Sequence, residues 1–220
     1  MLVSAILPTK GRSEFAAKAL QCFLSQTYAN RELIIFDDLN EPSFSNDVQT
    51  DGIYYLRHDT QLTIAEKRNF CCGMASGEVV CHFDSDDWSA PERIADQVER
   101  LKESRKGLTG YHSAFFYDED NKKAYWYDRM VTNFVLGTSM CYLKSFWKDH
   151  PFRETKYQRE DNYFCGEANK YDQMTTASAG ALMVARIHRG NSFQKDPVVP
   201  GGTSFIPVSL EALPAGFPRG

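Results

Sequence analysis

The sequence predicts an α/β fold: a central, mostly parallel sheet flanked by helices, with a smaller mixed region attached. Three observations point there. Short apolar runs of strand length alternate with stretches of helical periodicity through the first half of the chain. Each run stops on polar residues: Thr9 and Lys10, then Asp37 and Asp38, then Asp84 and its neighbours. The second half changes character, with dense aromatics on both sides of an Asp118-Glu119-Asp120-Asn121 turn.

The elements follow in order. The apolar run at 3–7 stops at Pro8 and reads as a buried strand. Ser13 is a residue type that caps helices, and Phe15, Ala16, Ala19, Leu20, Phe23 and Leu24 then keep helical spacing. Runs at 33–36 and 53–56 are the next two strands. Thr63 and Glu66 form a capping box for a helix that runs to about Met74 before Gly77 breaks it. The run at 79–83 is a fourth strand and ends on Asp84. Ser89 and Glu92 repeat the capping-box spacing around Pro91, ahead of a helix with Ile94, Val98 and Leu101 on one face, ending near Gly107. In the second half, 111–117 and 124–127 read as a hairpin, 139–143 as a strand, 159–170 as a helix and 182–187 as a last strand. The chain therefore divides into a first half at 1–107, a second half of the same domain at 108–195, and a Pro- and Gly-rich tail at 196–220. The tail is expected to be extended and mobile, and able to fold over a bound ligand.

Composition narrows the function. The 220 residues suit one domain, and a net charge of −4 supplies no global cationic field for nucleic acid. The six cysteines include no CxxC pair, which argues against a zinc site; they lie in apolar runs, as reduced and buried thiols of a cytoplasmic protein do. No apolar run approaches the ~20 residues of a membrane helix. The N-terminus lacks the basic and apolar regions of a signal peptide.

Parallel sheets collect ligands at the carboxyl ends of their strands. The three carboxylates of Asp84, Asp86 and Asp87, with Ser85 between, repel one another unless something positive joins them. A hard cation such as Mn²⁺ or Mg²⁺ takes oxygen ligands and keeps phosphate oxygens as partners, so the cluster suits a metal between protein and diphosphate. Local composition alone leaves a second reading, a solvated turn whose acids favour the next helix start. The strand-end position favours the site.

Several segments resemble the family 2 glycosyltransferases of the GT-A fold, the nucleotide-diphospho-sugar transferase, Rossmann-like architecture. Val3-Ser4-Ala5-Ile6-Leu7-Pro8-Thr9-Lys10-Gly11-Arg12 is similar to their first strand and loop, Leu24-Ser25-Gln26-Thr27-Tyr28 to the end of their first helix, and Glu32-Leu33-Ile34-Ile35-Phe36-Asp37-Asp38 to their second strand. Lys67-Arg68-Asn69 and Ala75-Ser76-Gly77-Glu78-Val79-Val80 resemble the approach to the DxD motif, and Asp84-Ser85-Asp86-Asp87 resembles the motif itself. Glu160-Asp161 resembles the acceptor-side ED pair, and Arg186-Ile187-His188 with Asn191 and Ser192 the closing RxHxxNxS segment. The likeness runs from about residue 3 to 192.

The resemblance implies a metal-dependent, inverting glycosyltransferase using a nucleoside-diphosphate sugar, a UDP-sugar first, with Mn²⁺ or Mg²⁺. It makes 1–107 the donor-binding half and 108–195 the acceptor-binding half. By the same resemblance Pro8, Thr9, Lys10 and Arg12 line the donor site, Asp38 accepts from the base with Arg68 nearby, and Asp84, Ser85 and Asp86 hold ribose and metal. Asp86, Asp87 and His188 are then metal contacts, Asp161 the catalytic base, and Glu160 its neighbour in the acceptor pocket. Two departures stand out: Asp37-Asp38-Leu39-Asn40 replaces the common Asp-Asp-Gly-Ser, and no Gln-x-x-Arg-Trp follows Asp161, which argues against a processive synthase. The acceptor is a glycan, a small molecule or a hydroxylated base of DNA. A catalytically inactive nucleotide-sugar-binding domain is the alternative of a different class. A nucleotidyltransferase would need a glycine-rich phosphate loop that 8–12 does not supply. The aromatics Tyr111, Phe115, Phe116, Tyr117, Tyr125, Trp126 and Tyr127 read first as cross-strand pairs. Lys122, Lys123, Arg153, Lys156 and Arg159 read as solvated charges or as a basic rim.

Overall fold

A computed structural model describes residues 1–38, 41–128, 133–154, 159–191 and 205–219. Strand β1 (Val3–Thr9) leads into helix α1 (Ser13–Leu24), and β2 (Arg31–Asp37), β3 (Ile53–Arg57), helix α2 (Ile64–Met74) and β4 (Val79–His82) follow. These four strands are parallel, with β1 between β2 and β4 and with β3 outside β2. Successive side chains on a strand face opposite ways, so each apolar run feeds two cores. Ala5, Leu7, Leu33, Ile35 and Cys81 pack in one core with Ala16, Ala19 and Phe23 of α1. Ile6, Ile34, Phe36 and Val80 pack in the other with Ala65, Cys71 and Cys72 of α2.

The short β5 (Trp88–Ser89) precedes α3 (Arg93–Ser104), whose Ile94, Val98 and Leu101 join the α1 core. Then come the long β6 (Leu108–Asp118), its hairpin partner β7 (Lys123–Asp128), β8 (Cys141–Leu143), α4 (Lys144–Asp149), α5 (Glu160–Lys170), β9 (Met174–Ser178), β10 (Met183–Ile187) and β11 (Phe205–Val208). The sheet runs β11-β7-β6-β8-β4-β1-β2-β3; β9 and β10 join through β6, and β5 joins through β10. Phe164, Cys165 and Ala168 of α5 complete the α2 core. The six cysteines are all buried and none is in a disulfide. No helix among the described residues is long and apolar enough to cross a membrane.

Gly77 permits one close approach: a Cβ there would stand 2.6 Å from Ser4 Oγ and 2.7 Å from the Leu2 carbonyl. The Gly77 amide donates to Ser4 Oγ, which donates to the buried Glu32.

Several expectations are corrected. Ser13 is inside α1, not its cap; Arg12 holds the cap position and makes no side-chain cap bond. Its guanidinium is committed elsewhere, to Asp86 and Gly190. Ser89 does not cap α3, because it lies in β5 and its hydroxyl accepts from Arg93. The Ile94 amide is met instead by Gln26 Oε1 at 3.0 Å, from the far end of α1. The tail is not mobile where it is described. β11 pairs antiparallel with β7, and Leu213 and Phe217 are buried, with Phe217 edge-on to Trp88 and Tyr117. Sequence reading took this segment's prolines as a loop signal; its apolar side chains outweigh them. Gly201, Gly202, Pro197 and Pro200 lie outside the described residues, as do Leu39, Asn40, Lys156 and Ser192. Elements β5, α4, β9 and β11 were not expected, and a 3-10 turn at Gly137–Ser139 takes the start of the strand expected at 139–143.

Candidate active site

A cavity of about 440 Å³ opens at the carboxyl ends of β1 and β4. Pro8, Arg12, Arg68 and the acidic cluster at 84–87 make one wall; the Gly137–Ser139 turn and the start of α5, with Arg159, Glu160 and Asp161, make the other. Parallel β1 and β4 run side by side as far as Ile6 and His82, so both chains leave the sheet at one edge and their loops meet there.

The first wall is heavily tied. Asp84 Oδ1 accepts from Arg68 Nη2 at 3.5 Å. Asp86 Oδ2 collects Arg12 Nη1 at 3.1 Å, His188 Nε2 at 3.1 Å and Asn191 Nδ2 at 3.0 Å. His188 stacks on Phe15, ring centres 4.5 Å apart, and its Nδ1 accepts from the Gly190 amide at 3.1 Å. That bond assigns the ring proton to Nε2, which therefore donates to Asp86. The Asp87 carboxylate is buried; it accepts from the Arg186 amide at 2.9 Å and from the Thr138 hydroxyl. Arg186 in turn pairs with Glu119.

Asp86 and His188 thus converge as an oxygen and a nitrogen donor on one point of the cavity rim, a set that fits a divalent ion sharing its remaining positions with a ligand. Coordination by His188 Nε2 would move the ring proton to Nδ1 and release the Gly190 bond. Asp87, the third expected metal contact, lines the same cavity and accepts from Thr138 and the Arg186 amide. Among the described residues no three His, Cys, Asp or Glu side chains close into a metal cage.

Other donor residues are placed differently from expectation. Asp38 is fully buried, pairs with Lys67 and accepts the Leu62 amide at 2.7 Å. Arg68 is not beside it. Adjacent helical residues point about 100° apart, so on α2 Lys67 faces the β1–β2 edge while Arg68 faces β4 and α5. Lys67 also donates to the Thr9 carbonyl at 3.1 Å, and burial lowers its ammonium pKa against the opposing bond to Asp38. Thr9 Oγ1 is buried without a hydrogen-bond partner among the described residues. Thr9, Lys10, Asp38 and His188 are not in the cavity lining; Pro8, Arg12, Arg68, Ser85 and the five acids Asp84, Asp86, Asp87, Glu160 and Asp161 are.

The second wall is a helix start, where acidic side chains suit the dipole of α5. Glu160 is buried and pairs through Oε1 with Arg68, while Oε2 has no partner among the described residues. Burial pushes its pKa up; Arg68 pulls it down and Asp161 pushes it further up. Burial also opposes the Arg68 charge, but Asp84, Glu160 and Asp161 together raise its pKa. Asp161 is half-buried, and its Oδ1 accepts the Asn162 amide at 2.7 Å.

Sequence reasoning missed Asn191 as a site residue, although it sits in the quoted closing segment. It also missed Gly137, Thr138, Phe134 and Leu136 in the lining. The aromatic hairpin resolves as cross-strand pairs: Phe115 faces Trp126 with ring centres 4.8 Å apart, and only Phe116 of that group lines the cavity. Of the basic rim, Arg159 reaches the cavity, whereas Lys122 pairs with Glu119 at 3.5 Å on the surface.

Residues 4–169 match the model of glycosyl transferase family 2. The chain belongs to that family. Among curated relatives, glycosyltransferase GlyG of Streptococcus pneumoniae is 24% identical over 146 residues, 64% of this chain and 46% of GlyG. The Escherichia coli UDP-Glc:alpha-D-GlcNAc-diphosphoundecaprenol beta-1,3-glucosyltransferase WfaP is 27% identical over 122 residues, 54% of this chain and 48% of WfaP. The chain matches less than half the length of these relatives. Among solved structures, Staphylococcus aureus TarS 1-349 superposes with a TM-score of 0.67 at 19% identity, covering 84% of this chain and 60% of TarS 1-349. The mannosyltransferase PcManGT of Pyrobaculum calidifontis, solved with GDP-Man and Mn²⁺, gives 0.67 at 14% identity, over 86% of this chain and 58% of that one. These likenesses establish the family's GT-A fold, with the mostly parallel sheet flanked by helices.

Proposed function

We propose that this chain transfers a sugar from a nucleoside-diphosphate sugar, a UDP-sugar first, to a hydroxyl acceptor with inversion at the anomeric carbon. The observation that carries the reading is one cavity with two chemically different walls: arginines and the 84–87 cluster on one, Asp161 on the other. Two solved neighbours favour such a donor, since TarS has been seen with UDP-GlcNAc and PcManGT with GDP-Man.

In this reading Pro8, Arg12 and Arg68 receive the donor nucleotide, and the two guanidiniums stabilise charge on the departing diphosphate. Asp86, with His188, would hold Mn²⁺ or Mg²⁺, and a bound divalent cation neutralises developing negative charge. Asp87, beside Asp86 in the lining, also ties the strand end to Thr138 and the Arg186 amide. Asp161 accepts the acceptor hydroxyl proton as the new C–O bond forms and the bond to the diphosphate oxygen breaks. Asp38 and Lys67 brace the strand end behind the nucleotide. The acceptor is read as a glycan or small-molecule hydroxyl, because among the described residues of the proposed basic rim only Arg159 lines the cavity.

The test is thermal shift with UDP-, GDP- and dTDP-sugars, with and without Mn²⁺. A donor at 100 times its Kd stabilises the native state by about 2.7 kcal/mol. The expected result is a shift with one nucleotide class that grows with Mn²⁺. No shift with any of them would overturn the reading.

A further inference from the structure

The Gly137–Ser139 turn is held from beneath by three side chains. The Gly137 carbonyl accepts from His82 Nδ1 at 2.7 Å, the Thr138 carbonyl from Arg93 Nη2 at 2.9 Å, and the Ser139 carbonyl from Gln97 Nε2 at 2.5 Å. His82, Arg93 and Gln97 are each 0% exposed. Burial, with help from the nearby Arg68 charge, drives the His82 pKa well below its ordinary value, so the ring is neutral at pH 7. Its proton sits on Nδ1, because a carbonyl can only accept, and Nε2 is left to accept from the Tyr142 hydroxyl at 3.1 Å. The turn therefore cannot slide without breaking buried bonds.

The turn also touches both walls of the cavity. The Thr138 hydroxyl donates to Asp87 on the donor wall. Gly137 meets Asp161: a Cβ at 137 would stand 2.5 Å from Asp161 Oδ2 and 2.9 Å from Asp161 Cβ. The carboxylate occupies the space that any other side chain would fill. We propose that Gly137 is a positioning residue for Asp161. His82, Arg93 and Gln97 hold that glycine in place, so the base is registered against the donor wall through a single turn. The proposal rests on reading Asp161 as the base.

A double-mutant cycle tests it, with nucleotide release from UDP-glucose, UDP-GlcNAc and GDP-mannose in Mn²⁺ as the assay. Gly137→Ala should lower kcat roughly 10²-fold, as misplacing a catalytic group by about an ångström does, with the donor KM unchanged. In an Asp161→Asn background the same substitution should change little, because the group it displaces is already disabled. Equal losses in both backgrounds would mean general damage and overturn the proposal. A silent Gly137→Ala beside an impaired Asp161→Asn would overturn it and leave the base assignment standing. An active Asp161→Asn would overturn the base assignment itself. His82→Asn retains an N–H for the Gly137 carbonyl and should keep more kcat than His82→Phe; equal values would count against the clamp. A crystal structure of Gly137→Ala reads the contact without substrate. Asp161 displaced supports the proposal, and Asp161 unmoved overturns it.

Discussion

The two walls of the cavity treat their carboxylates in opposite ways. On the strand-end wall each acid is met by donors: Asp84 by Arg68, Asp86 by Arg12, His188 and Asn191, Asp87 by Thr138 and the Arg186 amide. On the helix-start wall Glu160 keeps one oxygen without a partner, and Asp161 carries a single amide bond among the described residues. A carboxylate that accepts several hydrogen bonds has its orientation fixed by them. One with few keeps acceptor capacity for an incoming donor. The contrast teaches which wall is internally braced and which keeps acceptor capacity for a ligand.

The sharpest way to break that contrast is Asp161→Asn. Loss of a general base should cost about 10²–10⁴-fold in turnover, with donor affinity, measured by calorimetry, unchanged. Near-wild-type turnover would end the division of labour. Next is Arg68→Met, which removes the cation shared by the two walls and leaves Glu160 buried and unpaired. Breaking a buried pair typically costs about 3–5 kcal/mol. Urea midpoints should show that loss at pH 7 and a smaller one at pH 5, since protonation of Glu160 relieves the unpaired charge. An equal loss at both pH values would show that Glu160 is not the group left exposed to the cost. Asp86→Ala should erase the Mn²⁺-dependent part of the donor thermal shift, which is at most about 2.7 kcal/mol at 100 times Kd. A full shift would move the metal role elsewhere.

The smallest effect concerns His82. Its folded pKa lies below the ordinary 6.5, so below that pH the unfolded chain binds a proton that the native chain does not. Stability from this group is complete above about pH 6.5 and falls as pH drops, by up to about 1.4 kcal/mol per pH unit. Glu160 works the other way: its raised pKa makes the native state gain relative stability as pH falls towards 4.5. Comparing wild type with His82→Asn between pH 7 and 5.5 isolates the first term. Identical slopes would show that His82 protonates as readily in the native chain.

Much of this was legible in the sequence. The parallel half was, because period-two burial and strand-end acids are local signals, as at β1 and β4. The Thr63–Glu66 capping box was too, with both reciprocal bonds formed. What failed were places where a distant residue takes over a local role. Ser89 looked like a cap, but Gln26 supplies the bond. Less legible still was the partner Asp38 takes within the fold, Lys67 of α2. At the site, the sequence located both acidic clusters. It could not show that a glycine between two weak elements would lie against Asp161, since a close approach leaves no mark except the glycine itself.

Arg93 has a consequence for how the protein comes apart. Its fully buried guanidinium belongs to α3 but is solvated by Ser89, by the His82 carbonyl of β4 and by the Thr138 carbonyl, and it lies over the Phe83 ring. No carboxylate among the described residues pairs with it. Separating residues 137–139 from the first half would strand a desolvated cation, so the halves divided near residue 107 are expected to open together rather than as two foldons. Amides of β4 and of the 137–139 turn should then exchange with solvent only through the same global opening. A fragment ending at residue 107 would expose the space those carbonyls fill, and its Arg93 would have to draw in water to replace them.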